Sequence, residues 1–185
     1  MGGDDERWAT AFPGLFTEGY VDYAHCRVGF TTRPVPEELV SRLHLVAVTP
    51  RREVIVCRSV QGWRFLPGGT REAGESLAEL AARELVEEAG ARVTGTVELF
   101  AAHVADSLRE APYRPHLPHP RTYWAYAVTA AELAGPPTNP YDGEQVIEVR
   151  AVEVAEAVMY LAVEDPQHAD VLRLADAMGL IPPHP

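Results

Sequence analysis

The chain has 185 residues, 46% hydrophobic and 23% charged, enough to bury one substantial core. No stretch free of Asp, Glu, Lys and Arg exceeds 10 residues, against the roughly 20 apolar residues a membrane-spanning helix needs, so a helical membrane protein is excluded. The acidic start Met1-Gly2-Gly3-Asp4-Asp5-Glu6 lacks the pattern of a secretory leader, which points to the cytoplasm. The balance of 27 acidic to 16 basic residues gives a net charge of −11 and speaks against a broad nucleic-acid surface. All the basic residues are arginine, so Schiff-base and P-loop lysine chemistry are absent. Cys26 and Cys57 lack metal-ligand spacing and read as two buried thiols.

In chain order, residues 1–35 mix aromatics with turn formers and are expected to supply a leading strand and a flap. Two short apolar runs, 43–48 and 53–58, flank Thr49-Pro50-Arg51-Arg52 and predict a hairpin. A strand over 63–66 stops at Pro67-Gly68-Gly69, where the glycines let a ligand approach the main chain. A helix follows: Ser76 and Glu79 form a capping box at its start, and Gly90 suits its end. Its packing face is expected to hold Ala78, Ala81, Ala82, Leu85, Val86 and Ala89. Strands are predicted over 93–103, 122–128 and 146–152, and helices over 154–162 and 166–178. Asp165 caps the last, Pro166 sits in its first turn and Gly179 ends it. Pro112, Pro115, Pro118 and Pro120 interrupt 103–121, which reads as a long loop. Strands with one capped central helix and two late ones indicate an α+β layered domain.

At 100° per residue, Glu84, Glu87 and Glu88 fall within an arc of roughly 100° on the central helix. Three like charges a turn apart repel, and a hard divalent cation with oxygen ligands offsets that repulsion. Arg83 can orient a neighbouring carboxylate by a bidentate pair. Three glutamates alone would equally suit a solvated acidic face.

The 23 residues 69–91 read Gly, five residues, Glu75, seven residues, then Arg83-Glu84-Leu85-Val86-Glu87-Glu88-Ala89-Gly90-Ala91. This matches the Nudix box in full, at chance odds of about 10⁻⁸ for seven fixed positions, and the chain resembles the Nudix hydrolase family. The resemblance implies a Nudix-type α/β/α sandwich, a mixed β-sheet with the box helix packed on it, that hydrolyses a nucleoside diphosphate linked to another moiety. It divides the chain into an N-terminal segment 1–35, a Nudix domain 36–163 and a C-terminal helix and tail 164–185 packed on it. It also implies Mg2+, with Mn2+ as an alternative, held by Glu84, Glu87, Glu88 and the carbonyl of Gly68. Arg83 would orient the helix carboxylates and Glu75 would be structural. Glu84 or a later loop acid would act as general base; Glu144 is the candidate, with Asp142, Glu148 and Glu98 competing.

Marks of particular substrate subgroups are missing: residues 105–107 read Ala-Asp-Ser where a proline would be expected, and Tyr113 lies too far on for the dinucleotide-polyphosphate pattern. Tyr113, Trp124, Tyr126 and Tyr141 are available for base stacking, and Arg58, Arg64, Arg114 and Arg121 for phosphate or ribose. Arg64, Tyr113 and Trp124 are the substrate-binding candidates. His116-x-x-His119 with His103 raises a weak second metal site. The partner is a small nucleoside-diphosphate-type substrate, and the late helices could carry a homodimer contact. The competing reading is a Nudix-like sensor that binds a nucleotide derivative without cleaving it; such proteins lose box glutamates, and none is lost here.

Overall fold

A computed structural model describes residues 3–141 and 143–181. Ten strands form one mixed sheet system: β1 (Gly19–Val21), β2 (Cys26–Thr31), β3 (Val40–Val48), β4 (Val54–Ser59), β5 (Arg64–Phe65), β6 (Gly68–Thr70), β7 (Ala91–Val93), β8 (Glu98–Ser107), β9 (Arg121–Leu133) and β10 (Val146–Val152). The order is β1-β2-β8-β9-β3-β4-β10, with β5 on β4, β6 on β3 and β7 on β9. β3 and β9 run parallel, Leu43 opposite Ala125, while the other pairs are antiparallel.

The central strands are apolar at nearly every position because both sheet faces are covered. On β3 and β4, Val46, Val48, Val54 and Val56 point into one core, while Leu45, Ala47, Ile55 and Cys57 point into the other. The first core is closed by α1 (Gly3–Ala11), α2 (Pro13–Phe16), α4 (Val154–Leu161) and α5 (Pro166–Ala177), the second by α3 (Leu77–Glu84). This is the expected α/β/α sandwich. Cys26 and Cys57 are buried free thiols.

The hairpin forms, with Val48 opposite Val54 and Arg52 at φ 64° in its turn. The N-terminal region differs from expectation: two helices precede β1 and β2. Asp5 ties α1 to the end of β2, accepting from the Thr32 amide at 2.7 Å and pairing with Arg33 at 2.9 Å. The strand expected over 93–103 is two, β7 and β8, and β8 reaches Ser107, which shortens the proline-rich loop to 108–120.

The capping box is formed, Glu79 N donating to Ser76 Oγ at 3.2 Å and Ser76 N to Glu79 Oε2 at 2.8 Å. Past Glu84, however, the helix widens into a π turn, Leu85–Ala89, and the Gly90 amide reaches back five residues to Leu85 O. Gly90 takes the left-handed conformation at φ 57°. The packing face also differs from the one expected: Ala78, Ala82 and Val86 are exposed, and the buried stripe is Leu77, Leu80, Ala81, Glu84, Leu85, Glu88 and Ala89. Two of the three clustered glutamates therefore lie on the buried side, where glycines opposite them leave room.

Candidate active site

Strand β3 has two neighbours on one edge. β6 pairs with its beginning, Arg42 opposite Thr70 and His44 opposite Gly68, and β4 pairs with its end. The carboxylate wall is built on this β6 strap. A β-carbon at Gly68, at φ +152°, would lie 2.1 Å from Leu43 O, and one at Gly69 would lie 2.2 Å from Glu84 Oε1. Bare backbone is thus required at both positions for the strap to pass between β3 and the helix. With no side chain in the way, the Gly68 amide donates to Glu88 Oε2 at 2.8 Å.

Arg83 organises the rest of the wall. It grips Glu75 with two bonds, Nε to Oε1 at 2.7 Å and Nη2 to Oε2 at 3.1 Å, and donates to Glu84 Oε1 at 2.8 Å, Glu87 Oε2 at 3.2 Å and the Thr70 carbonyl at 3.1 Å. Planar guanidinium geometry permits this many simultaneous contacts. Burial pushes Glu75 up, but its bonds to Arg83 and the Glu72 amide outweigh it and hold the carboxyl below its ordinary value. Glu84 is raised, chiefly by burial, and Glu88 is pushed up to about 8 by burial, with Glu84, Glu144 and Glu87 adding repulsion against the pull of the Gly68 amide.

Glu144 faces the same cleft. Its Oε1 is buried without a hydrogen-bond partner among the described residues. Its competitors lie elsewhere: Glu148 is held by Arg58 at 2.7 Å and Tyr160 at 3.0 Å, Glu98 is exposed and bonded to Thr96, and Asp142 lies outside the described residues. Among the described residues no three His, Cys, Asp or Glu side chains converge at metal-ligand distances. Instead, one oxygen of each helix carboxylate is anchored, Glu84 and Glu87 by Arg83 and Glu88 by Gly68, and the second oxygen of each has no protein partner among the described residues.

The cleft has a volume of about 700 Å3. Arg64 lines it, with its guanidinium over the Tyr160 ring at 4.6 Å, and Trp124 lines it under Arg42 at 5.8 Å. Tyr113 is not on this cleft. It lines an adjoining apolar pocket under the proline-rich loop, which shares Tyr23, Arg42, Thr70 and Trp124 with the cleft, while its neighbour Arg114 reaches the cleft itself. Tyr126 lies at the floor, and Tyr141 is 97% exposed. Arg121 is taken up by Asp106 and Arg58 by Glu148. His116 and His119 bond separately to the carbonyls of Arg71 and Arg109, and His103 is buried apart from both, so the second metal site does not form.

The sequence reading missed Arg42, His44, Trp63, Gln167 and His168, all of which line the cleft. A signal existed for two of them: Arg42 and His44 are charged or titratable side chains at alternating positions of a strand that is otherwise apolar but for the small Ser41, one face of a single site.

The model of the NUDIX domain matches residues 40–175. No curated protein matches the chain. Among solved structures, Bacillus subtilis pyrophosphohydrolase BsRppH is 14% identical with a TM-score of 0.50, covering 89% of this chain and 99% of its own. The MutT protein from Methanosarcina mazei is 16% identical with a TM-score of 0.50, covering 79% and 99%. A NUDIX hydrolase from Nitrosomonas europaea is 13% identical with a TM-score of 0.51, covering 77% and 90%. These likenesses concern the fold. With a complete box on the helix that carries the carboxylates and a family match over most of its length, the chain belongs to the Nudix hydrolase family.

Proposed function

We propose that this protein is a Mg2+-dependent pyrophosphohydrolase, with Mn2+ as an alternative ion, that cleaves the diphosphate bond of a nucleoside diphosphate linked to another moiety. One observation carries the reading: each of Glu84, Glu87 and Glu88 has one oxygen fixed by the protein and one left over, and Glu144 brings a buried, partnerless oxygen to the same cleft. An all-oxygen set with unspent lone pairs fits a hard divalent cation. The raised Glu88 carboxyl indicates charge the protein alone does not compensate.

Glu84, Glu87, Glu88 and the Gly68 carbonyl would hold the ion. When bound, it would neutralise phosphate oxygens and acidify a coordinated water. Arg83 keeps the helix carboxylates in place, and Glu144 or Glu84 takes the proton from the attacking water. The water oxygen bonds to one phosphorus as the bridging P–O bond breaks, which releases a nucleoside monophosphate and a phosphorylated second fragment. Arg42, Arg64, Arg114 and Trp124, which line the cleft, would hold the substrate's phosphates and base.

Incubation with ADP-ribose, NADH, dinucleotide polyphosphates, nucleotide sugars, coenzyme A and nucleoside triphosphates, with and without Mg2+ or Mn2+, tests the reading by product mass. Metal-dependent cleavage of at least one is expected; silence across the panel would favour a binding protein.

A further inference from the structure

We infer that the cleft floor formed by His44 and His168 is built to take an uncharged, hydroxyl-bearing group, so that the moiety joined to the nucleoside diphosphate is a sugar or similar polyol rather than further phosphate. The inference rests on the hydrolase reading above and names the substrate class for that site.

Leu66 lies between β5 and β6 and outside both. Its amide donates to His168 Nδ1 at 3.3 Å, and its carbonyl faces His44 Nδ1 at 3.3 Å. An amide only donates, so His168 Nδ1 is a lone pair and the ring hydrogen sits on Nε2. A carbonyl only accepts, so His44 Nδ1 carries the hydrogen, and at pH 8, above the ordinary histidine value of about 6.5, its Nε2 is a lone pair. Asp165 Oδ2 lies 3.2 Å from His168 Nδ1 but makes no hydrogen bond with it, and the other oxygen of that carboxylate is held by the His168 amide at 2.9 Å. The main chain of one residue thus fixes both tautomers.

The two rings lie 4.6 Å apart, centroid to centroid, and both line the cleft. Neither Nε2 has a protein partner among the described residues, and neither is among the buried partnerless atoms, so both meet the cleft's solvent. The floor therefore offers one donor and one acceptor side by side. A hydroxyl matches that pair because it donates and accepts. A phosphate oxygen only accepts, and it would face the His44 lone pair. Glu164 and Asp165, where α4 meets α5, line the same cleft and add negative charge against a polyphosphate tail. The neighbouring Gln167 is held by His103 at 2.8 Å, and His103 in turn contacts the Tyr126 hydroxyl at 3.2 Å, which steadies this end of the floor.

The test compares ADP-ribose, ADP and ATP at pH 8 with Mg2+, measuring turnover and, by calorimetry, binding, in the wild type, His168→Phe and His44→Phe. The wild type is expected to favour ADP-ribose over ATP at least tenfold in kcat/KM. Each folded variant is expected to lose roughly five- to tenfold on ADP-ribose, the worth of one neutral hydrogen bond, and less than twofold on ATP. Equal or better use of ATP by the wild type overturns the inference even where a variant fails to fold, and so do equal losses on both substrates. Preferential binding of ADP-ribose without cleavage keeps the inference and removes the hydrolase reading. Cleavage of all three without preference does the reverse, and neither binding nor cleavage of any removes both.

Discussion

Gly69 and Glu84 occupy each other's space: a β-carbon on Gly69 would sit 2.2 Å from Glu84 Oε1 and 2.6 Å from its carboxyl carbon. Because the obstructing atoms are the tip of a flexible side chain, Gly69→Ala is expected to move the carboxylate away from Arg83 while the fold survives. Turnover should fall by about tenfold or more, with a stability loss of about 1–2 kcal/mol. Parallel assays of kcat and urea unfolding check this; a large unfolding effect with unchanged kcat would contradict it.

Glu88→Gln separates charge from packing. Turnover should fall by orders of magnitude and Mg2+ should no longer raise the melting temperature. A pH effect follows from the same residue. Its folded pKa of about 8 lies above the ordinary glutamate value of 4.5, so between those values the metal-free folded protein binds more protons than the unfolded chain, and stability falls as pH rises through the window. The variant lacks this term. Its melting temperature relative to wild type, in metal chelator, should therefore climb from pH 5 to pH 8; a flat difference would show that Glu88 is not strained by burial.

Arg83→Lys should not rescue Arg83→Ala. A point-charge ammonium cannot hold Glu75 by two bonds and still reach Glu84, Glu87 and the Thr70 carbonyl. The alanine variant is expected to lose about 2–4 kcal/mol, since it leaves three partly buried carboxylates without their cation. Denaturant midpoints would decide, and a lysine variant within about 0.5 kcal/mol of wild type would refute the geometric account.

Gly90→Ala tests the helix end. The position is left-handed at φ 57°, and a β-carbon would lie 2.1 Å from the Gly135 carbonyl oxygen and 2.5 Å from the Pro136 carbonyl carbon, both main chain. A loss of at least about 2 kcal/mol is expected, larger than that of Gly69→Ala, because backbone cannot swing aside.

Much of this was legible beforehand where local chemistry dictates local structure. Ser76 with Glu79, and Asp165 with Pro166, announce helix starts through backbone donors that need partners. The apolar runs of β3 and β4 announce a sheet covered on both faces. Other features depend on contacts distant in sequence. The stripe of α3 that packs inward is set by the sheet and the β6 strap, so periodicity alone points to Ala78, Ala82 and Val86, which face solvent. The π turn is equally invisible to a 100° projection. Helix α1 is tied down by Asp5 meeting Thr32 and Arg33, 27 and 28 residues on, and α2 by Leu15 entering the core. His44 and His168 are 124 positions apart, and the buried main chain of Leu66 bonds to both.

The Leu66 amide also makes a natural probe. It lies between β5 and β6, paired in neither ladder, so burial and a single bond are all that keep its hydrogen from solvent. Here it is held by a ring on α5, 102 positions along the chain. Its hydrogen-exchange rate is therefore a clock on the docking of the C-terminal helix. Protection at this one amide, unlike its neighbours in the ladders, should vanish whenever α5 lifts from the sheet, even while every strand stays paired.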